Sequence, residues 1–400
     1  MYYLHRQHIG VLFGGVLLLV VAMGISRFAF TPILPFMRIE EGLSFEEGGY
    51  LASSNYIGYF VGALGAGFIY RNKKNFLLIT VLLNVFSIFF MGLTHSFLLW
   101  VLLRFIAGAS SGFIFVLTSS IIMDYLAAHF QTRFSGFLFS GIGIGIAISG
   151  LLVPFIEGFF DWEGTWLGLG ILSALFLLIT LLLWRTITIQ NGEKVEKSND
   201  TKILQGFMPW LIIAYGLEGL GYIITGTFLV DIIYNIESLR AFASFSWVIA
   251  GIAAAPAAPI WMLLISKYST VKVLSIAYIL QVIGILLPVL TQTAWSVLLS
   301  AFLFGLTFVG IVSVSTAYAR ELYPKQSGVV VSALTTAYAL GQIIGPILAS
   351  FAESSFNSFK APLSFAGAIV AVALAILLIG KWYSDRKVLS KAIEVYHPPR

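Results

Sequence analysis

Twelve apolar stretches divide this chain, and they restrict its fold more than any other feature. They run roughly 9–37, 47–70, 75–94, 97–123, 135–156, 163–184, 207–230, 242–266, 273–291, 295–319, 328–351 and 362–383. Most hold about 20 to 25 residues, which at about 1.5 Å of rise each suffices to cross a hydrocarbon core of about 30 Å. Inside lipid a backbone must satisfy its own polar groups, so such stretches predict helices. Of the 400 residues, 59% are hydrophobic and 10% charged, whereas a soluble domain carries about 25% charge. No soluble core could hide that much apolar surface. The expectation is an all-α, multi-pass membrane protein embedded in a lipid bilayer. The first stretch is too long for a signal-peptide core and has no small-residue cleavage site, so it reads as an uncleaved first helix.

The sequence also repeats. Ala22 to Phe30 reads AMGISRFAF and Ala214 to Tyr222 reads AYGLEGLGY. Laid together, Gly24 falls on Gly216, Ser26 on Glu218, Arg27 on Gly219 and Phe30 on Tyr222. Further on, Gly108 matches Gly305, Asp124 matches Glu321, Ser135-Gly136 matches Ser327-Gly328, and Pro154 matches Pro346. Between the sixth and seventh stretches lies the longest polar segment, Arg185 to Gly206, rich in Gly, Ser and charge. The predicted organisation is a six-helix bundle over 1–184, a cytoplasmic linker over 185–206, a second six-helix bundle over 207–383 and a cytoplasmic tail over 384–400. Parallel repeats of this kind predict a rocking carrier with its site between the halves.

Orientation follows from Lys and Arg. With the N-terminus inside, eighteen of them fall in inner loops and termini, and only Arg38, Arg240 and Lys360 fall in outer loops. Both termini are therefore expected in the cytoplasm. The net charge of +5 is explained by this asymmetry, and no nucleic-acid partner is expected. Cysteine is absent, which removes disulfide and thiolate chemistry.

Three charged side chains are expected at depth within the apolar stretches, away from their ends: Arg27, Arg104 and Glu218. Each costs several kcal/mol or more unless paired or wetted, so a functional reading is the default. Arg27 and Glu218 occupy neighbouring positions of the repeat and are expected to meet as an ion pair between the halves. Burial favours the protonated form of Glu218, and a guanidinium beside it favours the carboxylate. A carrier can use both states in turn, with a substrate carboxylate displacing Glu218 from Arg27 and the freed Glu218 taking up a proton. Two arginines against one carboxylate leave about one positive charge, which favours a small organic anion. Asn55 and Tyr59 share a helix face, as do Tyr222 and Thr225 with Glu218, and Tyr338 with Gln342. Each could line a substrate site, and each could equally bond between helices as packing glue. The glycines read as close-packing positions, and Pro32, Pro35, Pro256 and Pro259 as bends.

Two six-helix halves, a polar central loop and Arg-x-x-x-Gly-x-x-x-Gly from Arg104 through Gly108 to Gly112 resemble the major facilitator superfamily (MFS). Gly24 to Met37, GISRFAFTPILPFM, and Leu217 to Leu229, LEGLGYIITGTFL, resemble its YbfB/YjiJ-like subgroup. The resemblance implies the MFS fold, 12 transmembrane helices in two pseudo-symmetric bundles, and a working monomer in the cytoplasmic membrane of a bacterium. It also implies a link between Arg104 and proton coupling. From their places in the helices and in the repeat, Gly108, Gly112, Pro32, Pro154 and Pro346 are expected in gating or packing. Two departures stand out. The loop after Gly67 reads FIYRNKKN, basic but without the family's acid and second glycine. The fifth stretch keeps its glycines but delays the proline to Pro154, so export does not follow from it.

Enzymatic function is not expected. All five histidines (His5, His8, His95, His129 and His397) fall in predicted loops or termini, which leaves no imidazole at depth for a serine or metal mechanism. No cofactor and no metal are expected. The function expected is secondary active transport of a small organic solute by alternating access, coupled to protons, with Na+ the alternative ion. A multidrug-type efflux antiporter is the alternative transport reading. A ligand-binding membrane sensor without transport is the alternative of another class.

Overall fold

The computed structural model describes residues 2–69, 71–185, 205–356, 358 and 360–396. Among them all regular structure is helical. The first half contains α1 (Tyr2–Leu19), α2 (Phe30–Glu41), α3 (Phe45–Ala66), α4 (Lys73–Met91), α5 (Phe97–Ala128) and α6 (Ser140–Leu183). The second contains α7 (Met208–Tyr234), α8 (Ala243–Ala254), α9 (Ala257–Ile265), α10 (Thr270–Leu290), α11 (Ala294–Leu322), α12 (Ser327–Phe356) and α13 (Lys360–Tyr396).

Nine helices among the described residues are long and apolar enough to cross a membrane, and a bent pair, Glu237–Ala254 with Ala257–Ile265, makes ten. The stretches expected at 135–156 and 163–184 run on as one helical stretch, broken where Phe160 and Asp161 leave helical geometry. The stretch expected at 47–70 forms α3, which is outside those ten. The bend in the bent pair is 42°, and it falls at Ala255-Pro256 because proline removes a backbone donor and crowds the preceding turn. Residues 186–204 of the expected linker and 397–400 of the expected tail lie outside the described residues. The helix expected to end at 383 instead continues to Tyr396.

Small residues let the helices approach. A Cβ on Gly108 would stand 1.9 Å from the Asn55 carbonyl oxygen, and one on Gly112 would stand 2.4 Å from that of Tyr59. These two glycines therefore seat α5 against α3. Across the halves, a Cβ on Gly143 would meet the Ala255 nitrogen at 2.2 Å, and one on Gly251 the Ala147 nitrogen at the same distance. The seam between α6 and α8 is thus a backbone-to-backbone contact. The basic loop after Gly67 ties down by another route. Lys73, at the start of α4, donates to Ser120 at 3.0 Å and lies 3.4 Å from the Asp124 carboxylate of α5.

Near the other ends of these helices, α3 starts on a capping box in which Ser44 and Glu47 satisfy each other's backbone N–H. Close by, His95 links two carboxylates from different helices. Its Nδ1 is 2.8 Å from Glu41 of α2, and its Nε2 is 3.9 Å from Glu163 of α6. The hydrogen bond to Glu41 and the charges of Glu41 and Glu163 hold the imidazole above its ordinary value of 6.5. The folded state therefore favours the imidazolium. Its contribution is complete below the ordinary value and is lost as pH rises through the raised one. Thermal unfolding of the purified protein should show this increment fade as pH climbs above 6.5. His95→Gln should show no such pH-dependent increment; the same slope in both proteins would refute the assignment.

Candidate functional site

Helix 1 of the expected topology is not continuous, and its break positions the first arginine. Val20–Ile25 winds as a π-helix, with Ser26 donating to the Val21 carbonyl at 2.8 Å and Phe28 to that of Met23 at 3.0 Å. Regular α-helix resumes at Phe30. Pro32 accounts for part of this, because it has no N–H to offer the Phe28 carbonyl and its ring crowds that turn. The Phe28 carbonyl accepts from Thr31 instead, at 3.2 Å. The break also frees the Ser26 carbonyl, and Arg104 of α5 takes it through Nη1 at 2.9 Å. Single-turn π segments of this kind recur at functional sites.

Arg27 projects from the break. It is buried, and its guanidinium carbon lies 4.3 Å from the Tyr59 ring centroid, 5.0 Å from Tyr56 and 5.2 Å from Phe28. Arg104 is buried beside the Phe30 ring, 4.4 Å from its centroid. In both arginines Nε and Nη2 have no hydrogen-bond partner.

Glu218 sits in α7 with no exposed surface. Gln281 of α10 donates to its Oε1 at 2.9 Å, and its Oε2 has no hydrogen bond. The expected Arg27–Glu218 ion pair is therefore not formed among the described residues. Each group is held within its own half. Aromatic faces hold the cation, and an amide from a neighbouring helix holds the carboxylate. Sharing a position in the repeat brought the two to adjacent helices without turning the side chains toward each other.

The other expected lining residues divide. Gln342 of α12 donates to the Tyr222 hydroxyl. Tyr222 stacks on Tyr338 at 5.3 Å, and Tyr338 on Tyr215 at 4.5 Å. Thr225 is buried with an unpaired hydroxyl. Tyr59 faces Arg27, but Asn55 donates to the Arg104 carbonyl at 3.0 Å, so Asn55 serves the α3–α5 contact. Pro154 lies within α6 and Pro346 within α12, where the Pro346 carbonyl accepts from Ser350 at 2.8 Å.

Sequence reasoning missed three participants. The Asn84 amide nitrogen of α4 lies between 2.8 and 3.1 Å from the Ser26, Ser110 and Ser111 hydroxyls and the Ala107 carbonyl, which share its two N–H donors. It pins the break in helix 1 to α5. Gln281 and Tyr56 are the others. The signal available for each was one uncharged polar residue in a long apolar run, which packing glue also produces.

A clasp joins the halves above this core. Arg38 of α2 forms an ion pair with Asp231 of α7. Thr31 donates to the Gly226 carbonyl at 2.6 Å, and Tyr56 bonds Thr227 at 3.0 Å. Ser53 donates to the Ile343 carbonyl at 2.9 Å and Ser350 to that of Phe45 at 3.3 Å. Phe45 stacks on Phe228 at 4.0 Å.

Glu41, His95 and Glu163 bring potential ligand atoms within 4.8 Å of one another. The two ring nitrogens of His95 face different carboxylates, so the ring ties α2 to α6.

The fold has solved counterparts. A variant of the nucleoside transporter NupG superposes with a TM-score of 0.74 at 15% identity, over 95% of this chain and 99% of that one. A bacterial homologue of the human lysosomal transporter Spinster, in an inward-facing conformation, gives a TM-score of 0.65 at 16% identity, over 94% and 96%. Among curated proteins, the quinolone resistance protein NorA of Staphylococcus aureus is 22% identical over 394 residues, spanning 94% of this chain and 97% of that protein. The cis,cis-muconate transport protein of Acinetobacter baylyi is 25% identical over 161 residues, or 40% of this chain and 38% of that protein. Residues 19–378 match the family model described as "Uncharacterised MFS-type transporter YbfB", and the chain, a helical membrane protein with its buried charges beneath a clasp, belongs to that family of MFS transporters.

Proposed function

We propose that this protein is a secondary active transporter that moves a small organic anion by alternating access between two six-helix halves, with the proton as coupling ion. The reading rests on one observation above all. Two arginines and one carboxylate are buried beneath a clasp that closes one end of the contact between the halves. A membrane helix needs no such groups for stability. The excess of positive charge suits an anion, and the muconate transport protein among the relatives is in keeping with that. Glu218, with one oxygen bonded and the other free, is the proton carrier.

The basic residues put the clasped end outside and both termini in the cytoplasm. The twelve-helix count, the monomeric carrier and the bacterial cell membrane belong to the same reading. The quinolone resistance relatives favour the alternative of an efflux antiporter, which would use the same clasp and carboxylate in the opposite direction.

Counterflow separates a carrier from a sensor or an open pore. Vesicles holding the purified protein and preloaded with unlabelled benzoate or cis,cis-muconate should accumulate the labelled compound transiently, several-fold above empty vesicles. The absence of trans-stimulation with either compound would remove organic-anion transport as the reading.

A further inference from the structure

The buried arginines and the rings beside them carry more than a charge preference. In a guanidinium, Nε–H and one Nη–H lie side by side and form the edge that matches a carboxylate with two parallel hydrogen bonds. That edge of Arg27, Nε with Nη2, is unpaired although the side chain is only 3% exposed. The face of the same guanidinium is held over the Tyr59 ring, so the orientation of the edge is fixed by packing.

Phe28, next in sequence, connects this cation to a slab of rings from the second half. Its centroid lies 6.1 Å from Phe308 at an interplanar angle of 64°. Phe308 is parallel to Tyr222 within 6° at 5.6 Å, and Tyr222 to Tyr338 within 18°. Phe304 is stacked with Phe308 within 20° and with Trp247 within 26°. Rings packed for bulk alone favour no common plane, because edge-to-face and offset-stacked pairs are both favourable. Here five rings drawn from four helices, α7, α8, α11 and α12, lie nearly parallel to their stacked neighbours.

We propose that the substrate is a planar, conjugated carboxylate, gripped by the Nε/Nη2 edge of Arg27 and stacked against the parallel rings of Phe308 and Tyr222. This rests on the organic-anion reading above and narrows it. A flat π-system gains from a parallel ring face what a puckered ring of equal size cannot. A carboxylate meets both donors of the guanidinium edge, where a neutral amide offers a single oxygen and leaves one donor poorly served.

Benzoate, cyclohexanecarboxylate and benzamide separate these features, since the second keeps the charge without the flatness and the third the flatness without the charge. Binding to the full-length purified protein in lipid nanodiscs should be at least tenfold tighter for benzoate than for either other compound. Arg27→Lys keeps the positive charge and loses the paired edge, so it should weaken benzoate tenfold or more. Phe308→Leu should bring benzoate and cyclohexanecarboxylate within about threefold of each other while carboxylate binding persists. Equal affinity for benzoate and cyclohexanecarboxylate in the wild type would overturn the proposal. So would unchanged benzoate affinity in Arg27→Lys, or no saturable benzoate binding at all.

Counterflow keeps this inference distinct from the transport reading. If cyclohexanecarboxylate binds and exchanges as well as benzoate, the planar site falls and the anion carrier stands. If benzoate binds with the expected selectivity but shows no trans-stimulation, the carrier falls and the site stands.

Discussion

Glu218→Gln will abolish the response of transport to a pH gradient while leaving exchange of unlabelled for labelled anion intact. The substitution is close to isosteric. Its carbonyl oxygen can still accept from Gln281, which now donates to Glu218 Oε1 at 2.9 Å, and its amide group takes the place of the unpaired Oε2. Packing around α7 and α10 should therefore persist. What disappears is the ability to gain and lose a proton. In the closed core a bare carboxylate with one hydrogen bond and no cationic partner is costly. The protonated acid fits that environment and the carboxylate fits a wetted one. Alternating access would expose the group to the two conditions in turn. In proteoliposomes with an imposed pH gradient, gradient-driven accumulation should fall to the level seen without a gradient. Counterflow should remain within about threefold of the wild type. A variant that still accumulates anion in response to the gradient would show that the coupling proton rides elsewhere.

The second large effect concerns the clasp. Breaking the Arg38–Asp231 pair should open the end of the bundle that the basic residues place outside. The two partners are not equivalent. The Asp231 side chain is 1% exposed and that of Arg38 is 16% exposed. Arg38→Gln therefore leaves a buried carboxylate without its counter-charge, whereas Asp231→Asn leaves a cation that can reach water. Removing one partner of a buried pair typically costs about 3–5 kcal/mol. The partial exposure of Arg38 reduces this, and a shift of about 1–3 kcal/mol changes a two-state population by about 5- to 150-fold.

The chain has no cysteine of its own, so a single reporter can be installed. Ser53→Cys is suited to this, because Ser53 is buried within the clasp itself, against Ile343, and the reporter chain carrying only this change is the reference. A membrane-impermeant maleimide added from outside should label it slowly in the otherwise wild-type chain. Labelling should be at least tenfold faster with Arg38→Gln and increase less with Asp231→Asn. Exchanging the two charges should recover part of the protection. Unchanged labelling rates in both variants would mean that the remaining contacts, Thr31 to Gly226, Tyr56 to Thr227, Ser350 to Phe45 and Phe45 to Phe228, hold this end closed without the ion pair. The experiment requires no knowledge of the substrate, so it tests alternating access independently of the anion.

The sequence by itself determined the helical membrane class, because uninterrupted apolar stretches leave the backbone no other way to satisfy its polar groups in lipid. It also determined the internal repeat, the family, and which charged residues had to be explained, because a charge in an apolar stretch is conspicuous one residue at a time. The tertiary structure alone decided what those charges touch. Arg27 and Glu218 fall at neighbouring positions of the repeat, yet one turns to Tyr59 and the other to Gln281, since side-chain direction depends on local winding that repeat alignment does not encode. The π segment of Val20–Ile25 is such a case: it rotates Arg27 relative to a regular helix and frees the Ser26 carbonyl for Arg104. The clasp between Arg38 and Asp231 and the parallel stacking of Tyr222 and Phe308 were likewise hidden. Both are contacts between residues more than eighty positions apart, and only the packing of helices brings such residues within a few ångströms.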